Sequence, residues 1–299
     1  MKKIRAAVVG YGNVGRFALE ALEAAPDFEV AGIVRRNGAA NLPLELTNYK
    51  VVKDIRELDS VDVAILACPT RSCPEYAKMI LPWGINTVDS FDIHTSILDY
   101  RHELMPLNKE TKTVSVIAAG WDPGSDSIVR TLMQSLAPKG LSYTNFGPGM
   151  SMGHSVCVRS KKGVKNALSV TIPLGEGIHR RMVYVELEEG FTLEQVTAEI
   201  KADPYFANDE THVFAVDSVD EVRGMGHGVN LVRKGVSGKT QNQRMEFNMS
   251  INNPALTGQV LVNVARATMR LQPGCYTMVE IPVIDMLPGE RESWIGRLV

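Results

Sequence analysis

The stretch that decides the fold is AAVVGYGNVGRFALEALEAAPDFEVAGIVRR, which occupies residues 6–36. Its first four residues are apolar, as is typical of a parallel strand whose two faces are both covered. Apolar residues then recur at helical spacing as far as Pro26, where a helix would end. A second apolar run at residues 30–34 completes a strand–helix–strand pattern, which predicts the start of a doubly wound sheet.

The turn between the first strand and the helix carries the pattern G-x-G-x-x-G at Gly10, Gly12 and Gly15. The first glycine permits a tight turn, the second lets the backbone approach a pyrophosphate, and the third lets the helix pack close to its strand. Phosphate charge would lie at the N-terminus of the helix. Ordinary glycine turns also produce this pattern, but its place between a strand and a helix favours a dinucleotide site.

The second strand ends in Arg35 and Arg36, where the ribose of the adenosine is expected. An acidic residue there would accept hydrogen bonds from the 2′-hydroxyl group of NAD and would repel a 2′-phosphate. A guanidinium group instead donates a planar fork of hydrogen bonds to phosphate. The arginine pair therefore predicts NADP as the cofactor, although a solvated basic loop would have the same sequence.

Length and composition limit the classes of protein to consider. The chain has 299 residues, which is too long for one small domain and suits two. Its net charge of −2 and its interspersed signs leave no basic stripe, so nucleic acid binding is not expected. No apolar run approaches the ~20 residues of a membrane helix, and no signal segment opens the chain. Four scattered cysteines suit a reducing cytoplasm and argue against a zinc site or a disulfide framework.

Three further apolar runs predict strands at residues 61–68, 87–89 and 114–118, and residues 74–81 are predicted to form a helix. Ligands of a doubly wound sheet gather at the carboxyl ends of its strands. The loop that leaves the first of these strands therefore faces the cofactor. It carries Cys68, Pro69 and Thr70.

Acidic side chains follow the fourth and fifth predicted strands. Asp92 lies in the segment DSFDIH, and Asp122 lies next to Trp121 in GWDPGSDS. Two carboxylates at one edge of the sheet, beside a nicotinamide, suit a cationic amine. Asp-Pro-Gly is also an ordinary turn, so the residues alone leave both interpretations open. His94 and His102 have no carboxylate or thiol at metal-ligand spacing, and no metal site is predicted.

The pattern of the chain changes after residue 120. Glycine-rich loops and period-two runs, such as residues 182–187 and 244–251, replace the alternation of strand and helix. Period-two runs are typical of strands with one covered face, so we expect a second, largely antiparallel domain.

The predicted domains follow from these patterns. Residues 1–120 form the dinucleotide-binding domain, and residues 121–253 form the second domain. Residues 254–299 contain a predicted helix after Pro254 and a predicted strand at residues 276–281. This C-terminal segment is expected to pack back on the first domain.

An ordered set of motifs covers nearly the whole chain. In order they are GYGNVG, the arginine pair, VDSFDIH, GWDPG, NFGPGMSMGHS, VTIP, HRR and NNPALT. As a set they resemble the meso-diaminopimelate dehydrogenase family. The resemblance implies reversible, NADP-dependent oxidative deamination at the D-configured α-carbon of meso-2,6-diaminopimelate, with L-2-amino-6-oxopimelate (tetrahydrodipicolinate when cyclised), ammonia and NADPH as products.

The same resemblance extends the prediction to the whole protein. It implies an α/β protein in which a Rossmann-type doubly wound parallel sheet is joined to a second, α+β domain for substrate binding and dimerisation. It further implies a homodimer or a higher homo-oligomer, and a role in lysine and diaminopimelate metabolism.

The resemblance also assigns functional residues, motif by motif. The residues that it implies for the dinucleotide are Gly10, Gly12, Asn13, Val14, Gly15, Arg35, Arg36, Cys68, Pro69 and Thr70. At the reacting D-centre it implies Asp92 and Asp122 as the catalytic acids that hold the amino group, with Trp121 and Phe146 as neighbouring walls. At the distal L-centre it implies Thr171, Arg181, His227 and Asn253, with Met152 and Gly153 nearby.

From the residues alone, the distal set has ordinary alternatives. His227 would fit a loop histidine, Thr171 an exposed strand residue, and Arg181 a surface charge. His154 lies close to the same motifs, and no role follows for it.

The chain departs from the longer members of the family in three places. Met152 stands where those carry a glutamine, Val156 stands where they carry an aspartate, and the segment from Thr171 to His179 is short. These departures resemble a compact branch of the family. They predict looser substrate selectivity, which extends to other D-amino acids and 2-keto acids.

Two other classes of function stay open at this point. One is an NADP-linked dehydrogenase of similar build that acts on a semialdehyde or an inositol-like alcohol, and the other is a catalytically silent NADP-sensing or scaffolding subunit. Asp92 and Asp122 favour an amine, because a sugar site would more often use a lysine or histidine as its acid. Neither the proton acceptor nor the preferred direction in the cell follows from the sequence.

Overall fold

The computed structural model of the protein describes residues 2–222 and 227–299. The chain divides into two compact units, Met1–Val129 with Pro254–Val299, and Arg130–Asn253. The sequence predicts the first boundary after residue 120, whereas the structure divides after residue 129. The GWDPG turn at residues 120–124 and the first turn of the helix after it belong to the first unit.

The first unit alternates strands with helices. Its elements in chain order are β1 (Ile4–Val9), α1 (Asn13–Ala24), β2 (Phe28–Val34), β3 (Val51–Val52), β4 (Val63–Leu66), α2 (Cys73–Ile80), β5 (Asn86–Asp89), α3 (Ile97–Thr111), β6 (Val114–Ile117) and the start of α4 (Ser125–Leu136). The sequence prediction lacks β3 and α3. Two residues are too few to show a period, and α3 has Pro106 inside a largely polar sequence, which hides its helical pattern.

The second unit consists mainly of longer strands. Its elements after the end of α4 are β7 (Lys139–Phe146), β8 (Gly149–Met150), α5 (Met152–Arg159), β9 (Val164–Gly175), β10 (Ile178–Leu187), α6 (Leu193–Ala202), β11 (Glu210–Ala215), β12 (His227–Ser237) and β13 (Gln241–Ile251). Both period-two runs noted in the sequence lie within strands, β10 and β13.

The C-terminal segment belongs to the first unit and forms α7 (Ala255–Thr268), β14 (Gly274–Thr277) and α8 (Arg291–Leu298). Helix α7 approaches α1 so closely at Gly258 that a Cβ atom there would lie 2.7 Å from the backbone nitrogen of Ala18. The predicted strand at residues 276–281 is wrong in its second half, because β14 ends at Thr277 and a short 3-10 helix follows. Met278 is buried in that helix, so the apolar run reflects burial rather than strand structure.

The first unit is built on a seven-stranded sheet of order β14-β6-β5-β4-β1-β2-β3, in which every neighbouring pair is parallel. Strands β4 and β6 are buried throughout, which explains the continuous apolar sequence of β4 and the mostly apolar sequence of β6. The predicted doubly wound sheet is confirmed. The chain reverses its direction of winding between β1 and β4, and ligands of such sheets bind at the carboxyl ends of the strands at this point.

The second unit contains two sheets, of order β11-β10-β9-β8 and β13-β12-β7. All strand pairs in them are antiparallel except β10 with β11. The prediction of a largely antiparallel second domain is therefore confirmed. Helices α5 and α6 pack on β9 and β10 through one apolar cluster, whose fully buried members are Val158, Ala167, Val183, Val185, Val196, Ile200 and Phe206.

Across residues 2–222 and 227–299, no helix combines the length and the apolar character needed to cross a membrane. The same residues contain no group of three histidine, cysteine or acidic side chains that could hold a metal ion.

Candidate active site

The glycine-rich turn after β1 has the geometry of a dinucleotide cradle. Gly10 has a φ of +94°, and a Cβ atom there would lie 2.7 Å from the carbonyl oxygen of Ala67. A Cβ at Gly15 would lie 2.2 Å from the carbonyl oxygen of Gly10. By contrast, a Cβ at Gly12 would meet nothing within 4 Å. Packing therefore requires glycine at the first and third positions, and the second position is open.

The open side of Gly12 lies at the start of α1. Gly12 is the N-cap residue, no side chain caps the helix, and its first turn has no acidic residue. The first N–H groups of a helix have no partners within the helix, and the helix dipole adds positive charge there. These features fit the pyrophosphate of a dinucleotide, which Asn13 and Val14 would also contact.

Arg35 and Arg36 follow β2 in a turn that is anchored on β3. The backbone N–H of Arg35 donates to the carbonyl oxygen of Val52 at 2.9 Å, and Gly38 donates to the carbonyl oxygen of Arg35 at 2.8 Å. Among the described residues, the side chain of Arg35 hydrogen-bonds only to the carbonyl oxygen of Gly38, at 3.4 Å. Arg36 is exposed and makes no hydrogen bond or ion pair with the residues that the structure describes. No carboxylate of residues 2–222 or 227–299 neutralises either charge, so both arginines are available to a phosphate.

Cys68, Pro69 and Thr70 lie directly after β4, the strand that pairs with β1. A Cβ at Gly10 would lie 3.1 Å from the Cα atom of Cys68, so this loop and the glycine-rich turn are in contact. The hydroxyl oxygen of Thr70 accepts a hydrogen bond from the backbone N–H of Asp92 at 3.1 Å. The structure thus joins the loop after β4 to the loop after β5.

The two predicted catalytic acids leave neighbouring strands at the same edge of the sheet. Asp92 follows β5 and is exposed, and Asp122 follows β6 and is half-buried beside Trp121. The turn that carries Asp122 is closed on itself, because Gly120 donates from its N–H to the carbonyl oxygen of Pro123 at 2.9 Å. A Cβ at Gly124 would lie 2.0 Å from the carbonyl oxygen of Gly120, so only glycine fits there.

In the second unit, Thr171 and Arg181 lie directly opposite each other on β9 and β10. Nη1 of Arg181 donates to the hydroxyl oxygen of Thr171, and Nε donates to Asp209 at 2.6 Å. Thr171 is 2% exposed and Arg181 is 8% exposed, so neither is a surface residue and the surface alternatives for both are wrong. Nη2 of Arg181 makes no hydrogen bond with any described residue and can bind a carboxylate.

The remaining distal residues lie at the ends of the three-stranded sheet. Phe146 is the last residue of β7, and His227 is the first of β12, so His227 is not a loop histidine. Gly147 donates to the carbonyl oxygen of Gly228 at 2.6 Å, and a Cβ at Gly147 would lie 2.2 Å from the carbonyl oxygen of Thr171. These contacts bring Phe146, Thr171, Arg181 and His227 together within the second unit.

Three residues of the predicted site flank this cluster. Asn253 follows the end of β13, whose Ile251 pairs with His227. Met152 and Gly153 begin α5, and this start is held against β9 because Ser151 donates to the carbonyl oxygen of Ser169 at 2.8 Å.

His154 fastens the start of α5 to the turn at residues 203–206. Its Nε2 lies 3.0 Å from the carbonyl oxygen of Tyr205, and its Nδ1 lies 2.7 Å from the hydroxyl of Ser151. A carbonyl oxygen only accepts, so the hydrogen is on Nε2 and Nδ1 accepts from the serine. Burial, followed by the charge of Arg181, lowers the pKa of His154 to about 4. The residue is therefore neutral and has a structural role.

The pKa values of two other histidines near Arg181, His179 and His227, are also lowered. The pKa of His179 is lowered by burial and then by Arg181, and its Nε2 accepts from the backbone N–H of Phe146 at 2.8 Å. Burial also lowers the pKa of His227. Positive charge here therefore comes from Arg181 rather than from histidine at neutral pH.

Sequence reasoning missed two residues that support this cluster. Asp209 pairs with Arg181 only because β11 aligns in parallel with β10, and no local pattern reveals that register. His179 is the first residue of the motif HRR, and the sequence indicates no role for it. It positions the end of β7, and its ring lies 5.7 Å from that of Phe146.

Comparisons with known proteins agree with this arrangement. A family model described as diaminopimelic acid dehydrogenase C-terminal domain matches residues 120–253, and one described as oxidoreductase family, NAD-binding Rossmann fold, matches residues 4–89. The chain is 70% identical over 299 residues to a meso-diaminopimelate D-dehydrogenase of Bacteroides fragilis, with all of both chains covered.

Two solved structures are also similar over all of both chains. One is the diaminopimelate dehydrogenase of C. glutamicum in complex with diaminopimelate, with a TM-score of 0.90 and 28% identity. The other is an engineered D-amino acid dehydrogenase bound to NADP+, with a TM-score of 0.84 and 26% identity.

Proposed function

The chain belongs to the meso-diaminopimelate D-dehydrogenase family, and from this we propose that NADP is its cofactor. We also propose that two sets of residues bind the substrate: Asp92 and Asp122 at the D-centre, and Thr171, Arg181, His227 and Asn253 at the distal L-centre. The protein is an oxidoreductase that deaminates meso-2,6-diaminopimelate reversibly at its D-centre. The products are L-2-amino-6-oxopimelate and ammonia. The observation that carries this conclusion is the 70% identity to the Bacteroides fragilis enzyme over the whole of both chains.

The glycine-rich turn and the arginine pair would hold the cofactor. Bound NADP supplies the acceptor for the hydride. Gly12 and the start of α1 receive the pyrophosphate, and Arg35 and Arg36 donate to the 2′-phosphate. The absence of a carboxylate partner for either arginine among the described residues supports NADP over NAD.

The acids of the first unit suit the chemistry at the D-centre. The α-amine must lose a proton before hydride can leave its carbon, and water must then attack the iminium carbon to release ammonia. Asp122, with Asp92, binds the ammonium group and receives or relays the protons. Holding the reacting carbon in one position supplies much of the rate.

The distal L-centre is bound by residues of the second unit. Nη1 and Nη2 of Arg181 donate to the distal carboxylate, and Thr171, His227 and Asn253 complete the hydrogen bonds. Asp209 holds the guanidinium group in place through Nε. The backbone of Phe146 is held by His179, which fixes the wall beside the substrate.

One assay tests the proposed function. Reduction of NADP is followed with meso-diaminopimelate, with the LL isomer and with simple polyols as substrates. We expect reduction with the meso compound alone, because the LL isomer lacks a D-centre. Reduction with polyols would identify an alcohol dehydrogenase, and cofactor binding without reduction would identify a silent NADP-binding subunit.

The arginine pair carries a separate prediction. We expect Arg35→Ser with Arg36→Ser to raise the Michaelis constant for NADP roughly tenfold or more and to change that for NAD much less. Loss of a charge-assisted hydrogen bond costs about 1.5–3 kcal/mol, and about 1.4 kcal/mol corresponds to tenfold in affinity. Steady-state kinetics with both cofactors measures the effect.

The control for this prediction removes the same charge at two exposed positions that do not belong to the cradle. Arg244→Ser with Arg297→Ser alters an exposed strand residue and an exposed helix residue. The control should keep the preference for NADP. If the Arg35 and Arg36 double variant also keeps it, the 2′-phosphate is bound elsewhere.

The resemblance also leads us to propose a cytoplasmic homodimer. Several apolar side chains of the second unit are exposed in the single chain, among them Leu132, Leu136 and Leu141. An interface between two copies would cover such side chains. Light scattering during size-exclusion chromatography measures the mass of the assembly.

A further inference from the structure

Asp89, the last residue of β5, is a fully buried carboxyl group without a cationic partner. Its exposed fraction is 0%, and no arginine, lysine or histidine among the described residues pairs with it. Burial raises its pKa to about 6, against the opposing effect of the hydrogen bonds that it accepts. Such a group is costly to bury, so its hydrogen bonds need an explanation.

Both carboxylate oxygens of Asp89 accept hydrogen bonds. Oδ1 accepts from the backbone N–H of Phe91 at 2.9 Å and from that of Ala118 at 3.2 Å. Oδ2 accepts from the hydroxyl of Tyr100 on α3 at 2.9 Å. The carbonyl oxygen of Asp89 also accepts from Ala119 at 2.8 Å. Asp89 is thus hydrogen-bonded to the loop after β5, to the loop after β6 and to α3.

The two loops are those that carry the catalytic acids. Phe91 immediately precedes Asp92, and Ala118 begins the segment that leads from β6 to Asp122. Ala118 has a φ of +54°, a left-handed conformation that alanine adopts at a cost. The hydrogen bond from its N–H to Asp89 helps to hold the chain in that sharp turn.

Tyr100 completes the arrangement from the other side. Its ring centroid lies 4.9 Å from that of Phe91, so the same side chain contacts both Asp89 and the residue before Asp92. We call Asp89, Tyr100 and Phe91 the strand-end clamp. It fastens the Asp92 loop through both a hydrogen bond and a ring contact.

We propose that Asp89 is a positioning residue for the reaction, because it sets the Asp92 and Asp122 loops in one fixed geometry. This inference rests on the proposed roles of those two acids. Displacement of a catalytic group by about 1 Å can cost roughly a hundredfold in rate. Two loops that leave separate strands keep their relative position better when they share one anchor.

Among the described residues, the ionisable side chains around Asp89 are tyrosine and cysteine, and none of them carries a positive charge. Tyr100 of α3, Cys73 of α2 and Cys275 of β14 face it, and burial contributes to a raised pKa for each of them. For Cys73 the largest cause is its hydrogen bond with Cys68, whose own pKa is lowered by the same contact. The clamp therefore depends on acceptor geometry at Asp89, not on an ion pair.

Two substitutions separate geometry from charge. In Asp89→Asn, the amide oxygen can still accept from both backbone N–H groups, and the amide nitrogen can donate to the hydroxyl oxygen of Tyr100. In Asp89→Ala, all three side-chain contacts are lost. If the hydrogen bonds of Asp89 position the loops, Asp89→Asn should keep its activity and Asp89→Ala should lose activity.

The matched control is Asn108→Ala. Asn108 is also fully buried, and its side chain bonds at 3.1 and 3.0 Å to Thr113 and Ser115, neither of which belongs to an acid-bearing loop. Its loss should destabilise the same sheet without moving the acids. It thus reports what destabilisation alone does to the rate.

The experiment measures kcat on meso-diaminopimelate at saturating NADP, with the thermal midpoint of each variant. We expect Asp89→Ala to lower kcat by at least about tenfold, while Asp89→Asn stays within about threefold of the natural protein. Asn108→Ala should lower the midpoint and keep kcat. An unchanged kcat in Asp89→Ala, or a parallel loss in Asn108→Ala, would overturn the inference. Inactivity of the natural protein in the same assay would instead overturn the proposed function.

Discussion

Asp122→Asn is expected to lower turnover on meso-diaminopimelate by about a hundredfold or more. Asparagine keeps the shape of the side chain and one acceptor, but it removes the charge that binds an ammonium group and the base that receives its proton. A positioned general base contributes typically about 10²–10⁴ in rate. The GWDPG turn that carries Asp122 is closed by the hydrogen bond from Gly120 to Pro123, so the substitution should leave the backbone in place.

Cofactor binding separates this effect from a general loss of structure. Titration with NADPH, followed by fluorescence, should give an affinity close to that of the natural protein, because the proposed site assigns the cofactor to the turn at residues 10–15 and to the arginine pair and assigns the amine to Asp122. Asp99→Asn is a suitable control, since Asp99 is an exposed acid on α3 of the same unit. Near-normal turnover in Asp122→Asn would place the amine elsewhere.

The first unit could be predicted largely from sequence because its signals are local. The glycine spacing and the buried runs of β1, β2, β4, β5 and β6 are readable within a few residues each. The glycine contacts with the loop after β4 follow from the doubly wound order. The role of Asp89 could not be read in the same way, because its partners Tyr100 and Ala118 are distant in sequence and meet it only in the folded sheet.

The second unit shows where local patterns are insufficient. The family resemblance assigned roles to Thr171, Arg181 and His227, whereas the residues alone favoured a surface or loop position for each of them. Their burial follows from the pairing of β9 with β10 and from the contact of the β7 end with β9. Asp209 has no sequence signal, because its meeting with Arg181 depends on the parallel register of β11.

The second large effect is expected at Arg181. We expect Arg181→Met to lower activity on meso-diaminopimelate by roughly a hundredfold. The proposed contact of Nη1 and Nη2 with the distal carboxylate comprises two charge-assisted hydrogen bonds, each of about 1.5–3 kcal/mol. Loss of the contact also frees the far end of the substrate, so the D-centre is held less well for reaction.

Substrates without a distal carboxylate should behave differently. Reductive amination of 2-keto acids with apolar tails should hold or improve in Arg181→Met, because methionine offers an apolar wall where the arginine needed an anion. The products should keep the D configuration, since hydride would still arrive on the same face of the carbon. Chiral chromatography of the products, together with kinetics on both kinds of substrate, measures these outcomes.

A second variant is needed because Arg181 forms an ion pair with Asp209. Arg181→Met leaves the carboxylate of Asp209, whose side chain is 21% exposed, without its cation, and this alone could destabilise the second unit. Arg181→Met with Asp209→Asn removes both charges and should recover the stability while keeping the changed substrate preference. If the double variant is stable and loses activity on diaminopimelate and on simple 2-keto acids in parallel, then Arg181 acts on the cofactor or on the reacting end of the substrate, and the distal carboxylate is bound elsewhere. If it loses only the first activity, Arg181 binds the distal carboxylate.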